Sequence, residues 1–416
     1  MARPFVCDAV RGALAIMLLA GVPLLAGEAR KTSGPKPYVW KAGVAVPKIT
    51  PQTSMWMAGY AARKKPSEGV WQDLYAKALA IEDADGQRLV VITLDLIGVL
   101  PTLRQAVERD VATQYKLPPQ DLLLNASHTH SGPEYRERKG REDEARTYHQ
   151  FLEATLVRLT GEALAKLAPA ELAYSHARAG FAMNRRLKTD KGYLNRPNPD
   201  GPVDHDVPVL IVNDQGGKLR AVMFGYACHN TTLGFYNFCG DYAGYAQEYL
   251  QADHPGTTAM FVLGCGADQN PYPRSDLKLA QQHGRTLATA VEAALFATPR
   301  PMRGPLGCDL QKVVLQHGGE KPSPQEYPIQ VIHFGSDLTL VALASEVVVD
   351  FSLRLKRELP DGPAKWIAGY SNGYFGYIPS LRVMQEGGYE ANPWAPTTEE
   401  QIVAKVHELD GRLRER

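Results

Sequence analysis

Residues 122–133 read Leu-Leu-Leu-Asn-Ala-Ser-His-Thr-His-Ser-Gly-Pro, an apolar run that leads into a His-x-His pair and a turn. A short apolar run bounded by turn residues predicts a buried strand. If the backbone stays extended, side chains two residues apart share a face, so His128 and His130 can approach one point. Two imidazoles converging at a strand end are a natural beginning of a zinc site. Alone, such a pair is more often structural than metal-binding, so the interpretation depends on the rest of the chain.

Buried strands alternate with longer helical patterns along the sequence. Apolar runs predict strands at Leu89–Leu94, Leu122–Leu124, Val207–Val212, Ala221–Tyr226 and Met260–Leu263. Helical patterns predict helices at 102–115, 146–167, 243–252, 276–296 and 346–357. Ile329–Phe334 and Leu338–Leu343 flank a Gly-Ser-Asp turn, which predicts a hairpin. We therefore predict an α/β fold, with a mixed β-sheet core flanked by helices and an active site at strand-end loops.

The N-terminus has the pattern of a secretory signal peptide. Arg3 and Arg11 precede a short apolar run, and small residues follow near Gly27 and Ala29. We expect a signal peptide over 1–29, one catalytic domain over 30–416, and a secreted or periplasmic protein. An uncleaved N-terminal anchor is the alternative.

Charge and cysteine content narrow the function classes. The net charge is +1 over 416 residues, which argues against a nucleic-acid partner. Beyond the expected signal peptide lie Cys228, Cys239, Cys265 and Cys308, which permit three disulfide pairings that sequence cannot distinguish. The chain contains no Cys-x-x-Cys pair, so a structural cysteine–zinc site is not expected.

Polar residues follow other predicted strands in the same way. His229 closes the strand that ends at Tyr226, and Glu346 follows the strand that ends at Leu343. A buried, satisfied histidine and a carboxylate in the first turn of a helix explain them equally well. Polar side chains that follow several strands, however, are typical of a binding site assembled at one edge of a sheet.

Three further segments carry candidate residues. They are Asn184-Arg185, which offers a guanidinium for a carbonyl or carboxylate; Gly264–Pro271, a turn with small residues beside polar ones; and the tyrosine-rich Gly369–Pro379. A basic turn, a plain turn and half-buried aromatics are the respective structural explanations.

Taken in order, these segments resemble the neutral/alkaline non-lysosomal ceramidase family from about Ala42 to Tyr389. In the family, a Met-x-Gly-Tyr segment (here Met57–Tyr60) precedes His-Thr-His-Ser-Gly-Pro and an Asn-Arg pair. A strand-ending His, a Gly-Asp-x-x-Gly-Tyr-Ala segment (here Gly240–Ala246), a Glu after a strand and Asn-x-Tyr-x-x-Tyr (here Asn372–Tyr377) follow. The ordered set is far more specific than any member of it.

The resemblance implies a zinc-dependent amidohydrolase that cleaves the N-acyl amide bond of ceramide-type lipids to a fatty acid and a sphingoid base. The metal ligands that it implies are His128, His229, Glu346 and Tyr377. The catalytic or substrate-contacting residues that it implies are His130, Arg185, Gln269 and Tyr389. The expected partners are a lipid-like N-acyl substrate and, transiently, a membrane surface, with Zn²⁺ as cofactor.

The sequence departs from the family pattern in two ways. The family loop Gly-Asp-x-Ser-Pro-Asn carries a Ser, whereas here Gln269 is the expected replacement in Gly266–Pro271. The C-terminal immunoglobulin-like domain of full-length ceramidases is also expected to be absent. Two alternatives therefore stay open: a zinc hydrolase of another N-acyl or ester substrate, such as an N-acyl amino acid, and a non-catalytic zinc-, lipid- or glycan-binding homologue.

Overall fold

The structure, a computed structural model, describes Met1, residues 40–318 and residues 323–416. The predicted signal peptide therefore lies, apart from Met1, outside the described residues. Tyr38–Arg416 forms one compact unit. Within the described part, no helix has both the length and the apolar character needed to cross a membrane.

Strands and helices alternate through this unit. The strands are β1 (Trp40–Ala45), β2 (Gly69–Val70), β3 (Ala76–Glu82), β4 (Arg88–Leu94), β5 (Leu122–Ala126), β6 (Ala168–Arg178), β7 (Ala182–Thr189), β8 (Gly192–Asn198), β9 (Asp206–Asp214), β10 (Leu219–Tyr226), β11 (Asn237–Phe238), β12 (Thr258–Leu263), β13 (Gln269–Pro271), β14 (Arg300–Pro301), β15 (Leu306–His317), β16 (Ser323–Phe334), β17 (Leu338–Leu343), β18 (Glu346–Val347), β19 (Ala364–Ala368) and β20 (Tyr377–Ile378). The helices are α1 (Pro101–Tyr115), α2 (Glu142–Ala165), α3 (Asp241–Asp253), α4 (Leu277–Phe296), α5 (Val349–Glu358), α6 (Leu381–Glu386) and α7 (Thr398–Arg414).

The largest sheet is mixed. Its strand order is β12-β10-β9-β6-β1-β3-β4-β5, with β14 paired to β6. The end pairs β10–β12 and β4–β5 are parallel, and the pairs between them are antiparallel. Each parallel pair is connected through a helix, α3 or α1, because parallel neighbours need a crossover. The loops that follow β5 and β10 carry His128 and His229.

Buried side chains form layers on both sides of this sheet. Helices α1 and α2 pack with β1, β3, β4 and β5, and helices α3 and α4 pack with β9, β10 and β12. A second sheet, in the order β15-β16-β17-β19, packs against the other face. Helices α5 and α7 cover the far side of that second sheet. The order of layers is helix, sheet, sheet, helix, so both sheets are largely buried.

The end strands of the large sheet, β5 and β12, are joined by a buried amide. Asn125 on β5 accepts a hydrogen bond from Leu263 N on β12 at 2.9 Å and donates to Leu263 O at 3.4 Å. The same amide donates to Gly369 O at 2.8 Å. The segment 369–372 also bonds both strands, through Gly369 N to Leu263 O and Asn372 N to Leu124 O. Asn125 and this segment therefore hold together the two sheet ends whose loops carry the histidines.

The predicted fold class is confirmed, because the structure has a mixed sheet core with helices on its outer faces. The predicted strands correspond to β4, β5, β9, β10 and β12, and the predicted hairpin is β16–β17. The prediction of a helix over 346–357 is wrong at its start. Glu346 and Val347 pair with Tyr377 and Ile378 as a short parallel ladder, and α5 begins only at Val349.

The four cysteines of the described region are buried free thiols: Cys228, Cys239, Cys265 and Cys308. Burial raises the pKa of each thiol above its ordinary value. A raised pKa keeps a cysteine in the unreactive thiol form, so these side chains act as small apolar groups.

The closure of the sheet through Asn125 can be tested by Asn125→Ala. Removal of the amide leaves Leu263 N without its hydrogen-bond partner in a dry environment, whereas Gly369 O keeps the Ser371 hydroxyl, so we expect a loss of about 2 kcal/mol in the free energy of unfolding. Chemical denaturation measures this loss. Asn195→Ala, at an exposed position on β8, is the control, with a change within about 0.5 kcal/mol. A similarly small effect for Asn125→Ala would refute the closing role.

Candidate functional site

His128 lies immediately beyond β5 with its ring orientation fixed by the backbone. Its Nδ1 lies 2.5 Å from Ile97 O. Because a carbonyl oxygen only accepts, Nδ1 carries the hydrogen and Nε2 carries the lone pair. His128 is 1% exposed and its φ is +57°, a left-handed conformation that side chains other than glycine adopt uncommonly. The chain is therefore turned sharply to present Nε2.

His229 is held in the same manner beyond β10. Its Nδ1 donates to Gly266 O at 2.6 Å, so the lone pair again lies on Nε2. Its backbone N–H donates to Gln269 O at 3.0 Å. Burial and then the nearby charge of Arg185 lower the pKa of His229 to about 3. The ring is therefore neutral at ordinary pH, as a metal-ligating imidazole must be.

Glu346 directs a carboxylate oxygen at both imidazoles. Its Oε2 lies 3.3 Å from His128 Nε2 and 3.3 Å from His229 Nε2. Glu346 Oε2 and His229 Nε2 are buried and have no hydrogen-bond partner. Burial by itself raises the pKa of Glu346, and only a positive charge at His128 and His229 lowers it.

This donor set fits a divalent cation. Two imidazole lone pairs and an ionised carboxylate oxygen converge, and isolated buried polar atoms of this kind are costly unless something binds them. The backbone bonds at both Nδ1 atoms are the usual outer support of metal-ligating histidines.

Two tyrosines lie beside Glu346. Tyr377 is its register partner in the parallel β18–β20 ladder, so both side chains project in the same direction. Tyr374 donates from its hydroxyl to Glu346 Oε1 at 2.7 Å, which leaves Oε2 for the histidines. Burial and Glu346 raise the pKa of both phenols. Tyr377 thus lies next to Glu346 in the ladder, and Tyr374 orients the carboxylate.

His130 belongs to the same cluster but is held differently. Ligand atoms of His128, His130 and His229 all lie within 4.8 Å of one another, and His130 Nε2 lies 3.1 Å from His128 Nε2. Its Nδ1, in contrast to the other two, has no hydrogen-bond partner. Burial, followed by His128 and His229, lowers the pKa of His130 well below its ordinary value.

The Met57–Tyr60 segment packs against the His130 ring, and Gly59 allows the close approach. Its φ is +95°, and an added Cβ would lie 2.4 Å from the His130 ring. Tyr60 contacts that ring edge-on, with centroids 4.7 Å apart. The segment therefore forms the wall against which His130 packs.

Arg185 lies behind Tyr377. Its guanidinium donates to Glu390 at 2.8 Å, to Asn270 at 3.2 Å and to the Tyr377 hydroxyl at 3.1 Å. Burial opposes its charge, but Tyr377 and Glu390 raise its pKa above the ordinary value. Tyr389 lies 5.4 Å from the Tyr377 ring and is 59% exposed. Arg185 thus contacts the predicted ligand tyrosine, and Tyr389 lies toward solvent.

Gln269 is the predicted site residue that the structure does not bring into the cluster. Its carboxamide donates to Cys265 O and accepts from Asp204 N. It influences the site through its backbone oxygen, which accepts the His229 N–H. Sequence reasoning placed it by the position of the family Ser, without the direction of its side chain.

A pocket of about 860 Å³ opens onto these donors. Of the predicted residues, those that line it are His128, His130, Glu346, Tyr377 and Tyr389. An apolar part of the wall comes from Trp56, Met57, Ile97 and Phe375. The remaining wall includes cationic side chains that sequence reasoning did not single out, although Arg136–Arg141 is visible as a charged run.

The fold and donor set define an α/β protein with a buried histidine–carboxylate centre at the end of a pocket. Residues 40–264 match the family described as neutral/alkaline non-lysosomal ceramidase, N-terminal. The chain belongs to this family, and the resemblance found in the sequence is confirmed.

Individual relatives agree with this assignment. The neutral ceramidase of Pseudomonas aeruginosa is 27% identical over 260 residues, which cover 58% of this chain and 38% of the relative. The chain thus spans well under half the length of this curated relative. The crystal structure of a neutral ceramidase from Pseudomonas aeruginosa gives a TM-score of 0.78 at 19% identity, over 91% of this chain and 75% of that one. A ceramidase complexed with C2 gives 0.79 at 18% identity, over 91% and 76%. At such identities the two structures establish the fold.

The supporting role of Tyr374 can be tested by Tyr374→Phe. Loss of the hydroxyl frees Glu346 Oε1, and we expect the affinity for a divalent cation to fall about tenfold. Competition with a chromophoric chelator measures the affinity. Tyr115→Phe on α1 is the control and should leave it unchanged. Equal affinities for wild type and Tyr374→Phe would show that the carboxylate is oriented without Tyr374.

Proposed function

We propose that the protein is a zinc-dependent amidohydrolase that cleaves the N-acyl amide bond of ceramide-type lipids, giving a fatty acid and a sphingoid base. The observation that carries the proposal is the convergence of two imidazoles, His128 and His229, on an unpartnered Glu346 oxygen at the end of a pocket that His128 and Glu346 line. Membership of the ceramidase family supports the reaction class.

Zinc suits the nitrogen and oxygen donors His128, His229 and Glu346, with Tyr377 as the fourth ligand. When bound, Zn²⁺ supplies Lewis acidity and lowers the pKa of a water molecule toward about 7. Three or four protein ligands leave room for water and substrate in the pocket.

His130 moves the proton. It lies beside the ligands, and its Nδ1 is free of the backbone bonds that fix the other two rings. In the reaction, a water oxygen bonds to the carbonyl carbon and the amide C–N bond breaks. His130 accepts the proton of the water and returns a proton to the departing nitrogen, so the amine leaves neutral.

The remaining residues position ligand and substrate. Arg185 orients the hydroxyl of Tyr377, and Tyr389 offers a phenol near the mouth of the pocket. The apolar wall around Trp56 and Phe375 suits an acyl chain. Export of the protein to the periplasm or the exterior is part of the proposal and rests on the pattern of residues 1–29.

The first test measures metal content and turnover together. We expect about one Zn²⁺ per chain by elemental analysis and release of fatty acid from a short-chain ceramide. His128→Ala should lose both metal and activity. His176→Ala, whose side chain is 63% exposed and paired with Asp206, should keep both. Full metal content in His128→Ala would refute the ligand assignment.

The separate roles of His128 in metal binding and His130 in proton transfer can be tested. His130→Gln should retain zinc and lower kcat by about 100-fold or more, because a general acid–base group is lost. Metal analysis of the same preparation is the deciding measurement. Loss of zinc from this variant would make His130 a ligand and would overturn the proton-transfer role.

A further inference from the structure

The wall of the pocket carries an excess of positive charge. The cationic side chains that line it are Arg63, Arg136, Arg138, Lys139 and Arg141, and the carboxylates that line it are Glu134 and Glu346. Glu346 is committed to the histidines. Because the whole chain has a net charge of only +1, this excess is local.

Arg63 has no carboxylate partner among the described residues. It donates to the backbone oxygens of Ala58, His130 and Phe235, and its buried Nε has no hydrogen-bond partner. Burial lowers its pKa from the ordinary value, although the group remains a cation. An arginine held in this way has a charge that no acidic side chain neutralises.

Arg141 and Lys139 are likewise without a carboxylate in the described part of the chain. The Arg141 guanidinium lies over the Trp56 ring, 3.3 Å from its centroid, which holds the charge against the pocket wall without neutralising it. Lys139 is exposed at the rim.

Arg136 and Arg138 share one carboxylate. Glu134 Oε2 lies 2.6 Å from Arg136 and 3.6 Å from Arg138. Once Glu134 is counted against one of them, four of the five cations remain without a carboxylate of their own.

These cations flank the catalytic groups on two sides. Arg63 donates to His130 O at 2.7 Å. Arg136 lies 5.7 Å from the centroid of the Tyr374 ring, whose hydroxyl bonds Glu346. An anionic group on a bound substrate would therefore meet a cation close to the reacting amide.

We infer that the preferred substrates are N-acyl amides whose amine portion carries an anionic group, a carboxylate or a phosphate. The inference rests on the proposed function and names its substrate class. An uncharged head group would desolvate these cations without offering them a partner, whereas guanidinium groups form strong charge-assisted bonds to carboxylate and phosphate oxygens.

The test compares matched pairs of substrates that differ in charge. One pair is N-dodecanoylglycine and N-dodecanoylethanolamine, and the other is a short-chain ceramide and the same ceramide phosphorylated on its primary hydroxyl. We expect the zinc-loaded protein to show a kcat/KM at least about tenfold higher for the anionic member of one pair or both. Added NaCl should reduce the preference, because salt screens exposed charges.

Variants test whether the preference for anionic substrates arises from the cations of the pocket wall. Lys139→Gln combined with Arg141→Gln should lower the ratio of anionic to neutral kcat/KM by about tenfold, mainly through KM. Arg285→Gln is the matched control, because Arg285 also lies over an aromatic ring, that of Tyr249 at 3.9 Å, but on the remote helix α4. That variant should leave the ratio unchanged.

The outcomes separate this inference from the proposed function. Equal or better turnover of the neutral members would overturn the inference and leave the amidohydrolase proposal standing. If anionic vesicles then stimulated turnover of neutral ceramide, the cations would belong to a membrane-facing surface instead. If no substrate were cleaved, the proposed function would fail. Calorimetric titration with the dodecanoyl pair would still decide the inference: tighter binding of the carboxylate supports it, and equal binding overturns it.

Discussion

The hydrogen bonds of Asn125 are the constraint on which the site depends. In the strand order, β5 and β12 stand at opposite ends of the large sheet, yet one amide bonds both ends and the segment 369–372. His128 follows β5, and His229 follows β10, the neighbour of β12. Without closure of the sheet, the two histidines would lie at separate ends of it. Because the sheet closes, the loops after β5 and β10 lie together and form one centre.

The chemistry of the centre follows from which of its polar atoms have hydrogen-bond partners and which do not. Backbone carbonyls hold the Nδ1 atoms of His128 and His229, and Tyr374 holds one oxygen of Glu346. The atoms left over, His229 Nε2 and Glu346 Oε2, are buried without hydrogen-bond partners. Burial of unpartnered polar atoms is unfavourable for folding, and a cation bound between them would relieve the cost. The local strain at His128, with φ of +57°, serves the same arrangement.

Around this centre, the pocket combines an apolar wall with a cationic one. Trp56 belongs to both, because its ring lines the pocket and carries the Arg141 guanidinium. In the proposed function the histidine–carboxylate centre sets the reaction class, and in the inferred preference the wall selects among substrates that share the same amide bond. These two properties come from different segments of the chain, the strand-end loops for the centre and the 56–63 and 134–141 segments for much of the wall.

The sequence by itself determined the α/β class, the family, and the strands after which His128, His229 and Glu346 follow, because periodicity and ordered motifs are local properties of the chain. It misplaced the start of α5, since Glu346 pairs with Tyr377 some thirty positions away and pairing overrides local helical preference. Only the tertiary structure decided that Gln269 bonds Cys265 and Asp204 rather than facing the pocket, and that Tyr374 contacts Glu346. It also decided which cations lack partners. Side-chain direction and charge compensation depend on neighbours that are distant in sequence, and folding alone brings those neighbours together.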